Sequence, residues 1–261
     1  MSNICRATIC LLLLFLLVSC HRGPDQNAAL KATSTSASDD ITQAEQLYSE
    51  RDDLMKVRQG IVSLRQAITK DPGNYEAAWQ LSKFNYYLGI HSEDSGERDK
   101  AFRDGIAAGK TAVQLQNDKP DGHFWLGANY GGAAEHSTVQ GLATVNDIRN
   151  EMDTVLRLDE GYQNGSAYMV LGLVYLNAPR IVGGDAKKAV ETMEKGLRFG
   201  QPNAFLHFHL AEAYAKVGRN DEARKEINTI LTMKPDQDYL PEYKEASGDA
   251  HKLLDHIDHS A

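Results

Sequence analysis

Cysteine is scarce in this sequence. The 261 residues contain three cysteines, Cys5, Cys10 and Cys20, and all of them lie near the start of the chain. A fold held by disulfides is therefore excluded for the rest of the chain, because no pair of thiols exists there. A catalytic cysteine is excluded there for the same reason.

Common catalytic motifs are also missing. The sequence has no Gly-x-Ser-x-Gly, no Gly-x-x-x-x-Gly-Lys and no His-Glu-x-x-His. His207 and His209 are two residues apart, which places them on different faces of a helix and prevents a shared metal. Asp255 and His259 lie one helical turn apart, but a solvated tail explains them better than a metal pair. We therefore predict no enzyme activity, no cofactor and no metal site.

Positive charge is in deficit, with 28 Lys and Arg against 36 Asp and Glu and a formal net charge of −8. This balance argues against nucleic acid or anionic lipid head groups as the main partner.

Long apolar runs are equally rare. The one from Ala7 to Val18 is too short to cross a bilayer as a helix, which takes roughly 20 residues.

The apolar run has the length of a signal-peptide core. Its end, Leu17-Val18-Ser19-Cys20, resembles the lipobox of bacterial lipoproteins, in which the cysteine becomes the acylated first residue. The resemblance implies a signal peptide over residues 1–19 and a lipid anchor on Cys20 that holds the chain on a membrane. An ordinary signal peptide with a chance cysteine is the alternative. Residues 20–40, rich in Ser, Thr, Ala and Asp, are predicted to be a flexible tether.

From residue 41 to 261 the pattern is helical and repetitive. With Ala204 as position 1 of a 34-residue frame, small or signature residues fall at positions 7, 8, 11, 15, 20 and 32: Leu210, Ala211, Tyr214, Gly218, Ala223 and Pro235. This spacing resembles the tetratricopeptide repeat, a pair of antiparallel helices in contact at small residues. We predict an all-α fold of five tetratricopeptide-like hairpins in a superhelix, with a C-terminal capping helix over 239–259.

Two insertions interrupt the frame, at Gly89 to Asp99 and at Asn177 to Ile181.

His123 and His207 both fall at position 4, which faces the second helix of a hairpin, so we predict buried, hydrogen-bonded histidines. The charged run Arg219 to Glu226 is predicted to be a solvated helix face. Loss of turnover on changing His123, His136 or His207 would be needed to support an enzyme instead.

The concave wall of such a superhelix is predicted to be apolar. Position 5 of the four later hairpins is occupied by large apolar side chains, and further residues are expected near them on the same wall. The candidate ligand-binding residues are Trp79, Lys83, Tyr86, Phe124, Met169, Leu173, Phe205, Phe208 and Glu212. Two interpretations stay open: a tunnel or groove for an apolar or amphipathic ligand, or ordinary core of a tightly closed superhelix.

Four segments in the middle of the chain are more specific than a generic repeat: Gly122 to Gly127, Ile148 to Tyr162, Gly165 to Gly172 and Pro179 to Asp185. Together they resemble the T component of tripartite ATP-independent periplasmic (TRAP) transporters, over roughly residues 75–235. The resemblance implies an envelope lipoprotein of helical repeats, with a pore for a hydrophobic small molecule and a periplasmic solute-binding protein as partner.

The leading hypothesis is therefore a lipid-anchored, periplasm-facing accessory protein of a TRAP-type transporter that binds a hydrophobic ligand and a solute-binding protein. His21 after the cysteine favours the outer membrane. The alternative is a repeat scaffold that assembles envelope proteins and holds no small molecule.

Overall fold

The structure, a computed structural model, describes residues 36–135 and 138–259. The predicted signal peptide, Cys20 and most of the predicted tether lie outside these residues. In the described part the chain forms eleven α-helices and no strand, which confirms the all-α prediction. The helices are α1 Ala37–Tyr48, α2 Leu54–Lys70, α3 Tyr75–His91, α4 Ser95–Leu115, α5 Pro120–Glu135, α6 Thr138–Leu158, α7 Tyr162–Asn177, α8 Ala186–Gly196, α9 Ala204–Lys216, α10 Asn220–Thr232 and α11 Leu240–His259.

Short polar side chains fix where many of these helices begin. Asn74 accepts a hydrogen bond from the amide of Ala77 at the start of α3, and Asn203 accepts one from Leu206 at the start of α9. Such caps satisfy backbone donors that the helix leaves unpaired. Ser36 and Asp39 form a reciprocal capping box, so α1 begins at Ala37, inside the segment that the sequence predicts as tether.

Consecutive helices pair as five hairpins, α1/α2 to α9/α10, and α11 packs on both helices of the last one. The predicted hairpins and terminal capping helix are thereby confirmed. Small residues at position 8 allow the two helices of a hairpin to touch. A Cβ on Gly127 would lie 2.4 Å from Met152 Cε, and one on Gly172 would lie 2.4 Å from Met193 Cγ. Each glycine thus receives a methionine from the second helix, and interior packing leaves no room for a larger residue.

The two insertions are accommodated differently. Gly89 to Asp99 mostly extends α3 and α4, which run to His91 and from Ser95. The second insertion forms a short 3-10 helix, Arg180–Val182, between α7 and α8. Gly183 follows it in the left-handed region, with φ of 88°, where glycine is favoured.

Within the described residues, an ion pair joins the two ends of the repeat array. Arg51, in the turn between α1 and α2, donates from Nε to Glu242 Oε1 at 2.8 Å and from Nη2 to Glu242 Oε2 at 2.5 Å, across 191 residues of chain. The same guanidinium donates to the backbone oxygens of Tyr48 and Asp238. Its side chain is only 5% exposed. We call Arg51–Glu242 the terminal ion pair; it joins the first hairpin to the first turn of α11.

Candidate functional site

The predicted wall residues lie on the first helices of four hairpins. Each set is spaced by three or four residues, so its members share one helix face. Phe124 and Phe208 are buried, at 5% and 8% exposure. The remaining members keep part of their surface exposed: Trp79, Lys83 and Tyr86 on α3, Met169 and Leu173 on α7, Phe205 and Glu212 on α9.

The structure groups three predicted residues of α3 and α5 with Trp125, which was not among the predicted site residues. We call this group the aromatic cluster: Trp79, Tyr86, Phe124 and Trp125. The Tyr86 and Trp125 ring centroids are 5.7 Å apart, and those of Phe124 and Trp125 are 5.0 Å apart at nearly a right angle. Edge-to-face and tilted contacts of this kind stabilise aromatic groups beyond simple burial. The aromatic cluster thus links α3 to α5 through packed rings.

Lys83 adjoins the aromatic cluster. Its Nζ lies 3.9 Å from the ring centroid of Tyr48 and 5.9 Å from that of Trp125. Among the described residues, no carboxylate forms an ion pair with it. Burial lowers the pKa of Lys83 to about 8, and the nearby Arg51 adds to the effect. At neutral pH the side chain is still largely protonated, so it places a cation among aromatic rings.

The predicted residues of α7 and α9 form a second group, separate from the first. Met169, Leu173 and Phe205 pack against the core that contains Phe208. Phe205 stacks on His209, whose Nδ1 lies 2.7 Å from Glu212 Oε2. We call this group the α7–α9 face.

A groove opens at the carboxyl-terminal end of the α7–α9 face. Its volume is about 540 Å³, and Glu212 is the predicted site residue that lines it. Apolar and polar side chains both contribute: Leu176, Asn177, Glu212, Ala215, Lys216, Asn220, Leu253, His256 and Ile257. This mixed lining suits an amphipathic molecule better than a purely apolar one.

Three lining residues belong to α11 and were not among the predicted site residues. Leu253, His256 and Ile257 follow one another at helical spacing, i, i+3 and i+4, which is the signal that could have identified them. The sequence predicts that α11 caps the last hairpin. In the structure α11 does so and also forms one side of the groove.

The insertion between α7 and α8 presents an apolar side chain outward. Ile181 is 90% exposed. Arg149 on α6 holds the insertion, donating from Nη1 to the oxygen of Val182 at 3.0 Å and from Nη2 to that of Gly183 at 3.2 Å. We call Arg180 to Gly183 the rim segment. Its exposed isoleucine sits on a fixed backbone.

The two position-4 histidines are buried and hydrogen-bonded to the second helix of their hairpins, as predicted. His123 Nδ1 lies 2.5 Å from Glu151 Oε2, and His207 Nδ1 lies 2.6 Å from Glu226 Oε2. In both cases Nε2 faces a backbone oxygen, of Asn117 or of Gln201. The prediction of a fully solvated Arg219 to Glu226 face is wrong at Glu226, which is buried because it binds His207.

The start of α7 carries unusual backbone geometry. Gln163, Asn164 and Gly165 have φ of 46°, 54° and 75°, and a Cβ on Gly165 would lie 2.7 Å from Gly196 O. Left-handed conformations are unfavourable for residues other than glycine. These three residues form a turn before the regular part of α7. It leads directly out of Tyr162, whose hydroxyl donates to Asp121 at 2.9 Å.

Metal-ligand clusters and membrane-spanning helices are both missing from the described residues. In residues 36–135 and 138–259, no three potential metal-ligating side chains come together. His259 Nδ1 instead lies 2.7 Å from the backbone oxygen of Asp255 in its own helix, and His136 lies outside the described residues. None of the described helices has both the length and the apolar character required to cross a bilayer.

Comparison with solved structures places the fold among tetratricopeptide-repeat proteins. A thermophilic TPR protein of Thermus thermophilus superposes with a TM-score of 0.60 at 20% identity, covering 81% of this chain and 98% of that one. MamA protein gives 0.47 at 20% identity, covering 74% and 90%. YrrB, described as a TPR protein with an unusual peptide-binding site, gives 0.47 at 12% identity, covering 85% and 92%. The first of these supports the repeat fold.

Comparison with curated proteins gave no match. Comparison with family models did: residues 97–258, more than half of the chain, match the TRAP transporter T-component. This region contains the aromatic residues of α5, the α7–α9 face, the rim segment and most of α11. The match agrees with the resemblance carried by the segments between Gly122 and Asp185. The chain belongs to the TRAP transporter T-component family.

Proposed function

We propose that the protein is a lipid-anchored accessory component of a TRAP-type transport system, which binds a hydrophobic small molecule on its concave wall and a periplasmic solute-binding protein at its rim. Family membership supports association with the transporter and with the cell envelope. Both families to which the chain is similar, the T components and the TPR proteins, are non-enzymatic, which agrees with the absence of catalytic motifs.

The observation that carries the ligand proposal is the α7–α9 face. Met169 and Leu173 on α7 and Phe205 on α9 keep apolar surface exposed next to one another, and the groove of about 540 Å³ follows at the end of the two helices. A pocket of this volume lies within the range that holds small ligands. The ligand's apolar part is proposed to lie along this face.

The test is uptake of a lipophilic fluorescent dye by the purified chain. Leu173→Glu should abolish dye uptake, because a carboxylate on the apolar face leaves the dye beside an unpaired charge. Leu115 on α4 is 37% exposed outside this face and supplies the matched control, Leu115→Glu. Equal dye uptake by wild type, Leu173→Glu and Leu115→Glu would refute the ligand site.

The rim segment is the proposed contact for the solute-binding protein. An exposed isoleucine on a fixed backbone can insert into a partner without the cost of ordering a loop. Ile181→Ser should weaken co-purification of the solute-binding protein at least tenfold. Val62→Ser, on an exposed valine of α2, is the control. Binding that survives Ile181→Ser unchanged would assign the partner to another surface.

Membrane attachment is proposed to depend on Cys20. Two or more acyl chains hold a protein stably on a membrane, whereas one does not. Cys20→Ser should release the protein from the membrane fraction, and intact mass spectrometry of the wild-type chain should give the acyl mass on an N-terminal cysteine. A membrane-bound Cys20→Ser variant would overturn the anchor. Separation of inner from outer membranes tests the proposed outer-membrane location.

A protein scaffold without a small-molecule ligand is the second candidate. The observation that favours it is the burial of Phe124 and Phe208, since two of the four position-5 side chains serve as core. The scaffold predicts that the chain takes up no dye and that its partner binding is independent of Leu173.

A further inference from the structure

Among the described residues, Lys83 is a cation without a partner anion. The described residues give it two aromatic neighbours, Tyr48 and Trp125, and no carboxylate within ion-pair distance. The two carboxylates that act electrostatically on Lys83, Glu242 and Glu45, are bonded to other groups. Glu242 is held at both oxygens by Arg51, and Glu45 accepts from Gln80.

A second polar group in the same place also lacks a partner. Trp125 is 7% exposed, and its Nε1 has no hydrogen-bond acceptor among the described atoms. A buried N–H that makes no hydrogen bond costs free energy comparable to a lost bond. The surroundings of Lys83 thus offer an ammonium and an indole donor to an incoming acceptor.

The charges of Lys83 and its neighbours indicate what charge a ligand should carry here. Aromatic rings alone can bind a cation, but here Lys83 already occupies that position and Arg51 lies close enough to lower its pKa. A second cation would be repelled. Of these two described cations only Lys83 is unpaired, because Arg51 is neutralised by Glu242, so a group with a single negative charge is the match.

The apolar neighbours of Lys83 indicate the shape of the remainder of the ligand. Tyr86 and Trp125 connect Lys83 to Trp79 and Phe124 within the aromatic cluster. Neighbouring packed helices lie about 8–10 Å apart, so the wall from α3 to α7 extends over roughly 18 Å. A molecule with one charged end and a long apolar tail has this shape.

We infer that the ligand is a monocarboxylate amphiphile of the fatty-acid type, whose carboxylate binds Lys83 Nζ and Trp125 Nε1 while its tail lies on the apolar wall. This inference rests on the proposed hydrophobic ligand and names its chemical class. Trp125 serves both as a donor to the head group and as a spectroscopic reporter, since the chain has two tryptophans, Trp79 and Trp125, and both lie in the aromatic cluster.

The experiment compares palmitic acid with its methyl ester, by tryptophan fluorescence titration of the purified chain at neutral pH. The chain is first stripped of co-purified lipid by unfolding and refolding. A charge-assisted hydrogen bond favours the acid, and we expect it to bind about tenfold or more tighter than the ester. Lys83→Met should bring the affinity for the acid down to that for the ester.

Lys110→Met is the matched control. Lys110 also lies over an aromatic ring, 5.9 Å from the Tyr130 centroid, but on the exposed side of α4. This variant should keep the preference for the acid. The comparison of acid and ester in the wild-type chain needs no variant. It therefore tests recognition of the carboxylate even if Lys83→Met folds poorly.

The outcomes are distinct. Equal binding of acid and ester by the wild-type chain overturns the carboxylate inference and leaves the hydrophobic-ligand proposal standing. Binding of neither compound overturns both. A preference for the acid that persists in Lys83→Met, or disappears in Lys110→Met, assigns the head group to another cation and overturns the role of Lys83.

Discussion

Breaking the terminal ion pair should destabilise the whole repeat array from its ends. The perturbation is Glu242→Gln, which removes one charge while keeping the side-chain shape. Arg51 would stay buried, at 5% side-chain exposure, without its counter-charge. Removing one partner of a buried ion pair costs about 3–5 kcal/mol. Glu242 is 25% exposed, and Arg51 keeps its backbone acceptors, so we expect about 1.5–3 kcal/mol.

The assay is chemical and thermal unfolding, with Glu50→Gln as the matched control. Glu50 lies in the same turn and pairs with Lys56 at 3.0 Å, but is 60% exposed. An exposed pair of this kind contributes about 0.5 kcal/mol or less. The melting temperature should fall by roughly 5–10 °C for Glu242→Gln and hardly change for Glu50→Gln.

A double-mutant cycle with Arg51→Met separates the ion pair from other effects of each substitution. Amide exchange should also accelerate in the turn around Arg51 and in the first turn of α11, because these two segments lose their ion pair. If Glu242→Gln and Glu50→Gln have the same melting temperature and the same exchange pattern, the ends of the array do not depend on this contact.

Two other predictions concern the histidines and the glycines. The hydrogen bond to Glu151 raises the pKa of His123, so its stabilising contribution is complete below the ordinary value of about 6.5 and is lost as the pH rises through the folded pKa. Denaturant titrations from pH 6 to about 9 should give a steeper loss of unfolding free energy for wild type than for His123→Gln; parallel curves would contradict this. Gly165→Ala should cost about 2 kcal/mol or more, because the backbone is left-handed there and the new Cβ would meet Gly196 O. Gly248→Ala, with open space around it in α11, should be neutral or stabilising by up to about 1 kcal/mol; equal effects of the two substitutions would exclude the strained turn.

Much of the fold was predictable because the repeat is a local pattern. Positions 8 and 20 of the last hairpin, Ala211 and Ala223, are fully buried at the helix contact. Their neighbours lie within one hairpin, so spacing in the sequence reports directly on contact in space. The position-4 histidines were predictable for the same reason, because their environment repeats from hairpin to hairpin.

What could not be predicted depends on contacts between distant parts of the chain. Arg51 and Glu242 are 191 residues apart and belong to no repeat position, so nothing in either local sequence points to the other. The sequence around Glu226 is typical of a solvated helix face. Nothing in it indicates the hydrogen bond with His207, which lies on another helix. The start of α1 at Ala37 was hidden by the polar composition around it, because Ser36 and Asp39 are as typical of a flexible segment as of a helix cap.

The candidate site was likewise predictable only in part. Helical spacing placed the predicted residues of each helix on one face, but it could not say which of them keep exposed surface. That depends on how closely each first helix is covered by the next hairpin. The contribution of Leu253, His256 and Ile257 to the groove likewise follows from where α11 docks.

Native mass spectrometry of the chain purified without detergent is the direct test of whether the proposed concave wall holds a hydrophobic molecule. We expect a lipophilic mass on the wild-type protein that organic solvent removes and that Leu173→Glu lacks. A wild-type protein that carries no added mass, including after incubation with lipid extract of its own cells, would contradict this proposal.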